Sequence, residues 1–357
     1  IIPKPGVEYY LIVEIKLKKA NKLISKGHLI AWEQFRLPIS RFDLPLDPDS
    51  LLPTSLVYDD NNIIVNGDEF SLSFSLGNGF INKFSYRNIK LFKSDLQPFF
   101  WRAPTDNDLG NNMPERCRMW KNAHNELLLQ SLDTSSIGNI KQIKTIHFHE
   151  ESQSRLELSY SIFGNGIIKL KQTIYPSGAY HPELPRFGMR VSLPPSFSDF
   201  EWFGRGPHES YWDRKTSAKV DRFSGKVWNQ TYKYVRPQEN GNKTDVRWMS
   251  LYNGSVGIMV KGLPTFDGSV HHYDYNILDY TKDSQRHGKI DIKKGNQIDL
   301  LIDYKQMGVG GDNSWGARTH SKYTLPMDTT NYNLEYAIIP FNKKNELEAL
   351  SRININN

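Results

Sequence analysis

The 357 residues carry 45 Lys and Arg against 39 Asp and Glu, a net charge of +6. No dense basic run is interleaved with aromatics, which argues against a nucleic-acid binder. No apolar run approaches the ~20 residues of a membrane span, and the single cysteine, Cys117, excludes an internal disulfide framework or a multi-cysteine zinc site. Aromatics at 12%, together with 25 Gly and 19 Pro, point to a turn-rich β protein, and a mean hydropathy of −0.57 gives it a polar surface.

The chain opens on Ile1-Ile-Pro-Lys-Pro-Gly6, which lacks a signal-peptide layout, and enters at once on a largely alternating strand. Residues 8–17 and 28–37 have strand spacing. A strand needs neighbours to satisfy its backbone, so residues 1–48 read as the tail of a β-sandwich domain and the chain as a piece of a longer protein. Its compartment stays open. Between Pro38 and Pro53 four prolines and three aspartates break all periodicity, which marks a domain boundary and leaves residues 49–357 as a second domain.

In that second domain hairpin signals recur. Strands are expected at Leu56–Tyr58, Ile63–Val65, Phe70–Leu76 and Phe80–Tyr86, separated by Asp59-Asp-Asn-Asn62, Asn66-Gly-Asp68 and Gly77-Asn-Gly79. Further strands are expected at Leu156–Phe163, Ile167–Ile174, Gly188–Leu193, around Phe200–Phe203, at Val256–Lys261, Ile290–Tyr304 and Tyr332–Ile339. The spacing predicts a large antiparallel sandwich, all-β in class. One helix is expected, over Pro114–Leu128, where Met119, Trp120, Ala123 and Leu127 fall at helical spacing behind a proline.

Three stretches are rich enough in polar and aromatic residues to carry chemistry. In Pro98-Phe-Phe-Trp-Arg-Ala-Pro-Thr-Asp-Asn-Asp-Leu-Gly110, Arg102 faces a Thr-Asp-Asn-Asp cluster. The residues allow either a polar loop hinged at Gly110 or a structural network tying Arg102 to Asp106 and Asp108. The loops Phe203–Asp213 and Tyr234–Trp248 hold Glu209, Asp213, Glu239 and Asp245. Glycoside hydrolysis needs two carboxyl groups flanking the bond, yet Arg205, Arg214, Arg236 and Arg247 stand nearby, and charge-matched clusters are more often scaffold than catalyst. In Met307-Gly-Val-Gly-Gly-Asp-Asn-Ser-Trp315 no helix pattern follows the glycines, so a nucleotide loop fails; Trp315 is either a stacking platform or core. Among the histidines, His147 with His149 and His271 with His272 could each ligate a metal, but neither pair has an evident third ligand.

Taken together, Pro98-Phe-Phe-Trp-Arg-Ala-Pro-Thr-Asp-Asn-Asp108, Trp202-Phe-Gly-Arg-Gly-Pro-His-Glu-Ser-Tyr211, Tyr234-Val-Arg-Pro-Gln-Glu-Asn-Gly241 and Gly308-Val-Gly-Gly-Asp-Asn-Ser-Trp315 resemble, in this order, the C-terminal region of the large β-galactosidases of glycoside hydrolase family 2. In some bacteria that region is a separate small chain. His28-Leu-Ile-Ala-Trp-Glu-Gln-Phe-Arg-Leu37 is similar to the end of the immunoglobulin-like domain that precedes it.

The resemblance implies an antiparallel supersandwich of the galactose mutarotase type after the tail of an immunoglobulin-like sandwich. It implies that Trp315, with Asp312 and Asn313, contacts a β-galactoside, and that Asp108, Gly110 and Asn111 belong to a loop closing near the active site. It also implies that the catalytic glutamates sit on an upstream TIM barrel, since the residues around Glu33, Glu201, Glu209 and Glu239 do not match their motifs. No catalytic residue, metal or cofactor is then expected in this chain, and magnesium and a monovalent cation belong to the rest of the enzyme. The expected partners are that remainder, as the same chain or a large subunit, in an oligomeric parent. Rival readings are a stand-alone carbohydrate-binding module, a scaffold for an oligomer, or an aldose mutarotase-like enzyme using His208 with Glu209, or His271 and His272 with Glu239.

Overall fold

The computed structural model describes residues 2–41, 44–179, 181–279, 292–313 and 315–355. The chain divides into two compact units, residues 1–46 with 348–357 and residues 47–347. In the first, β1 (Tyr10–Lys16) pairs antiparallel with β2 (Leu29–Arg36), and β3 (Leu44–Pro45) pairs parallel with the two-residue strand Ile353–Asn354. Leu11, Ile12, Val13, Ile15, Ile30 and Phe35 of the β1–β2 ribbon are exposed. Consecutive apolar side chains point to opposite faces, so neither face of this ribbon is a water-facing one by composition.

The second unit is an all-β antiparallel sandwich. A five-stranded meander runs through β4 (Ser55–Tyr58), β5 (Asn62–Asn66), β6 (Phe70–Ser75), β7 (Ile81–Tyr86) and β8 (Ile89–Lys90). Behind it lies a twelve-stranded sheet: β9 (Gln97–Phe99), β10 (Leu127–Ile137), β11 (Ile140–His149), β12 (Ser154–Ile162), β13 (Ile168–Tyr175), β14 (Arg186–Leu193), β15 (Asp199–Gly206), β16 (Lys219–Lys226), β17 (Lys243–Tyr252), β18 (Gly257–His271), β19 (Ile298–Gln306) and β20 (Tyr332–Phe341). Phe74 of β6 meets Tyr160 of β12 edge-on at 4.9 Å, and Phe80 stacks on His147 of β11 at 4.9 Å. One apolar cluster joins the two sheets, as a sandwich core requires.

Strand β18 lets the large sheet branch. Its first half, Gly257–Gly262, pairs with β20, and its second half, Asp267–His271, pairs with β19. Between them Leu263, Pro264 and Thr265 leave the core, and Pro264 has no amide hydrogen to give a ladder. The chain therefore turns from one strand set to the other at that point. Every side chain of β14 is buried, because β14 lies between β9 and β19 with both faces covered.

Most expected strands are present, and β10, β11, β16 and β17, which were not among them, help to complete the sheet. The sequence of β16, Lys219-Val-Asp-Arg-Phe-Ser-Gly-Lys226, is too polar for an alternation signal because most of it faces solvent, whereas β17 is covered on both faces and so carries no polar–apolar alternation. The helix expected over Pro114–Leu128 is not one element. A short turn, Met113–Arg116, gives way to 3-10 turns at Arg118–Trp120 and Ala123–Asn125, and β10 already begins at Leu127. Burial decides this: Met113, Cys117, Trp120 and Ala123 all face the core, and Trp120 stacks on His149 and donates Nε1–H to the Pro182 carbonyl oxygen at 3.0 Å. Residues 290 and 291 of the expected strand Ile290–Tyr304 lie outside the described residues, and Ile292–Gln297 is not strand.

Candidate functional site

Four segments are knitted together where β9, β15 and β19 end and β17 begins. The first leads from β9 into α1 (Asp106–Gly110), which Thr105 starts. Its Oγ1 accepts the Asp108 N–H at 3.2 Å while Asp108 Oδ2 accepts the Thr105 N–H at 2.9 Å, a reciprocal capping box. The Asp108 carboxylate also takes the Arg102 guanidinium at 2.7 and 2.8 Å, and Arg102 donates onward to the carbonyls of Met307 and Gly308. Both side chains are buried. A bidentate buried pair of this kind fixes orientation as well as charge. Arg102 is thus the structural anchor that one of the two sequence readings described, with Asp108 as its partner; Asp106 pairs instead with Arg236 and accepts from Gln238 Nε2 at 3.0 Å.

The carboxylates singled out in the sequence are all committed to partners. Glu209 accepts the Gly241 N–H at 2.8 Å, Arg214 at 2.6 Å and the Tyr234 hydroxyl. Asp213 accepts the amide hydrogens of Val309 at 3.1 Å and Gly310 at 2.8 Å. Asp245 holds Arg205 at 2.6 Å and Lys215 at 2.9 Å; against the upward push of burial these two cations bring its carboxyl down to about 2. Glu239 accepts from Arg186 at 2.9 Å and from the Tyr275 hydroxyl. Only Glu209 with Arg214 is a pair between sequence neighbours. The others span strands, because neighbours across a sheet are far apart in the chain.

Arg186 is the residue that sequence reasoning passed over. It lies fully buried on β14 and joins Glu239 to Asp303 of β19. Burial raises the Asp303 carboxyl above the usual carboxylate range, opposed by the Arg186 charge beside it. Four residues along β14, Arg190 repeats the arrangement with Asp299 and Asp274. Two arginines four apart in an apolar strand, opposite two aspartates four apart in another, were the available signal. Next to this network, a cavity of about 190 Å³ opens between Thr105, Asn107, Tyr211, Arg214, Tyr234 and Val309. That is below the ~300 Å³ at which enclosed ligand pockets begin.

Trp315 stands on the last of the four segments and is 89% exposed. Asn313 Oδ1 accepts the Trp315 N–H at 2.9 Å, so Asn313 shapes the loop that presents the ring. Asp312 pairs with His320 at 2.7 Å on the surface. Gly110 lies against Gly316, where a Cβ would stand 3.1 Å from the Gly316 Cα and nitrogen. Asn111 Oδ1 accepts from Arg116 at 3.0 Å. The structure therefore brings Gly110 to the Trp315 loop, while Asp108 is turned inward to Arg102.

His271, His208 and His147 are held by other groups. His271 is buried with Nε2 3.0 Å from Ser269 Oγ and Nδ1 3.1 Å from the Tyr273 hydroxyl, and burial, with Arg186, Arg190 and Lys243 near, brings its imidazole down to about 3. His208 Nε2 contacts Ser217 Oγ at 2.8 Å. His147 Nε2 is 2.8 Å from the Asn78 carbonyl oxygen.

Residues 66–338 match the family model described as the β-galactosidase small chain, and residues 2–38 match β-galactosidase domain 4. The chain belongs to the β-galactosidase small-chain family. It is 34% identical over 319 residues to a β-galactosidase from Priestia megaterium, covering 89% of this chain and 30% of that one. A β-galactosidase from Halalkalibacterium halodurans is 29% identical over 327 residues, covering 90% of this chain and 32% of its own. The chain thus spans about a third of the length of the curated relatives it matches. Among solved structures, a galactose 1-epimerase from Lactobacillus acidophilus overlays 82% of this chain and 99% of its own at 9% identity, with a TM-score of 0.45, too low for a shared fold to follow from it.

Proposed function

We propose that this small-chain region forms one wall of the active site of a retaining β-galactosidase acting on terminal β-D-galactosides. On this reading Trp315 lays its ring against the apolar face of the sugar, with Asp312 and Asn313 shaping its loop, and the Leu109–Pro114 segment helps close the site. The catalytic glutamates, the magnesium and the monovalent cation belong to a TIM barrel outside this chain, which forms the covalent glycosyl intermediate. What this chain adds is positioning: a sugar held in one orientation needs less ordering when it reacts.

The observation that carries the reading is the exposure of Trp315. A solvent-facing indole on a loop shaped by the Asn313 side chain leaves its apolar ring face open for something to stack on. The engagement of Glu209, Asp213, Glu239 and Asp245 with cations and amides supports the second half of the reading, that the acid and the nucleophile lie elsewhere.

The test is chromophore release from an aryl β-galactoside by this chain alone, folded as judged by a cooperative melt, and by the same chain joined to its barrel. Turnover is expected only with the barrel. Turnover by the chain alone that disappears in Glu239→Gln would overturn the division of labour.

A further inference from the structure

The open end of the β10–β11 hairpin holds a second cluster, separate from the Trp315 loop. Leu127, the first residue of β10, pairs in register with His149, the last of β11. Glu126 therefore enters the sheet beside His149, and Glu151 follows in the turn to β12. One ligand atom from each of Glu126, His149 and Glu151 lies within 4.8 Å of the others. The three border an open groove of about 590 Å³.

The imidazole is what separates this cluster from an ordinary acidic surface. His149 is 3% exposed, packed flat on Trp120 with ring centroids 5.8 Å apart. Its Nδ1 accepts the Ser152 amide hydrogen at 3.3 Å and sits 2.8 Å from Ser152 Oγ. Its Nε2 lines the groove, is buried, and has no hydrogen-bond partner. The nearest charge is Glu126 Oε2 at 3.5 Å, longer than an ordinary N–H···O bond. Two ligands of one tetrahedral zinc ion, each ~2.0 Å from the metal, stand about 3.3 Å apart. The Nε2–Oε2 separation thus suits two donors sharing one ion better than a direct bond.

We propose that Glu126, His149 and Glu151 bind one divalent transition-metal cation, zinc best of all. One imidazole and two carboxylates suit zinc or manganese, whereas magnesium and calcium favour oxygen donors alone. Nδ1 accepts the Ser152 amide hydrogen, so binding a cation at Nε2 requires the ring proton to move to Nδ1, where Ser152 Oγ, 2.8 Å away, can accept it. Both glutamates are exposed, so their carboxylates close onto the ion by side-chain rotation alone. Water completes the coordination. The ion ties the start of β10 to the turn after β11, clamping the hairpin at the end opposite its Gly138-Asn139 turn. The sequence showed His147 beside His149 and no third ligand; the structure turns His147 to Asn78 and supplies two glutamates from either side of the hairpin.

The experiment is zinc titration by calorimetry of the protein carrying this chain, wild type against Glu126→Gln with Glu151→Gln, followed by anomalous diffraction at the zinc edge on zinc-soaked crystals. The double variant changes only exposed side chains and leaves the core intact. The expected result is one binding event weakened at least about tenfold in the variant, and an anomalous peak ~2.1 Å from His149 Nε2. Magnesium at the same concentration should not displace it. An isotherm unchanged in the double variant, or a peak absent from His149 at about 1 mM zinc, overturns the site.

Discussion

Gly110 and Gly316 meet backbone to backbone. Gly316 has φ +111°, and a Cβ there would overlap the Gly110 carbonyl oxygen; a Cβ on Gly110 would stand 3.1 Å from the Gly316 Cα. Two segments about two hundred residues apart can approach this closely only because neither carries a side chain.

Gly316→Ala should therefore displace the Trp315 loop more than Gly110→Ala does. Position 316 combines the overlap with a backbone angle that L-residues rarely adopt, whereas at 110 the neighbour need yield only a few tenths of an ångström. Both loops lie at the surface. In the intact enzyme the expected outcome is a loss of about tenfold in kcat/KM for Gly316→Ala, about 1.4 kcal/mol, and a smaller loss for Gly110→Ala, with little change in Tm. Equal and large losses of Tm in both would make the contact a stability device instead.

Trp315→Ala separates binding from folding. The ring is 89% exposed, and truncating an exposed side chain changes stability by ~0.5 kcal/mol or less. KM for an aryl β-galactoside should rise by roughly tenfold, corresponding to about 1.4 kcal/mol of lost stacking. Unchanged kinetics in the intact enzyme would remove Trp315 from the substrate's path.

Gly188→Ala tests the buried charge network directly. A Cβ at 188 would overlap Asp303 Oδ1 and stand 2.5 Å from the Ile302 carbonyl oxygen, backbone that the β14–β19 ladder holds in place. The carboxylate would have to leave Arg186, and breaking a buried pair costs about 3–5 kcal/mol. A drop of that size in the midpoint stability of a denaturant melt is expected. A drop below about 1 kcal/mol would mean that the network can rearrange around the methyl group.

His271 gives the molecule an acid limit. In the folded state its imidazole is brought down to about 3 by burial and by the positive charges of Arg186, Arg190 and Lys243, against about 6.5 in an unfolded chain. Above pH 6.5 the ring is neutral in both states and folding is unaffected. As pH falls from 6.5 toward 3, the unfolded chain takes up a proton that the folded chain refuses, so stability falls by about 1.4 kcal/mol per pH unit, about 5 kcal/mol in all. His271→Gln, whose amide can still reach Ser269 and Tyr273, should flatten that part of the pH–stability curve. An identical acid slope in wild type and variant would assign the loss to other groups.

The sandwich class could be read directly from the residues, because turn chemistry such as Asn66-Gly67 and alternating runs such as Phe70–Ser75 are local and one face of each strand is buried. Trp315 and Gly110 also stood out in the sequence through the motifs around them. The supposed helix over Pro114–Leu128 shows the opposite case. Its apolar spacing was helical, but Trp120 and Ala123 are placed by contacts with the sheet, so propensity lost to tertiary packing. Polar strands such as β16 carried no periodic signal because solvent accepts either face. What only the tertiary structure decided is which charges meet. Arg186 with Asp303, Glu239 with Arg186, and Glu126 with His149 are pairs across strands or hairpin ends. A sequence sets the residues available to such pairs, but strand register sets the distances, and electrostatic partners are chosen by distance.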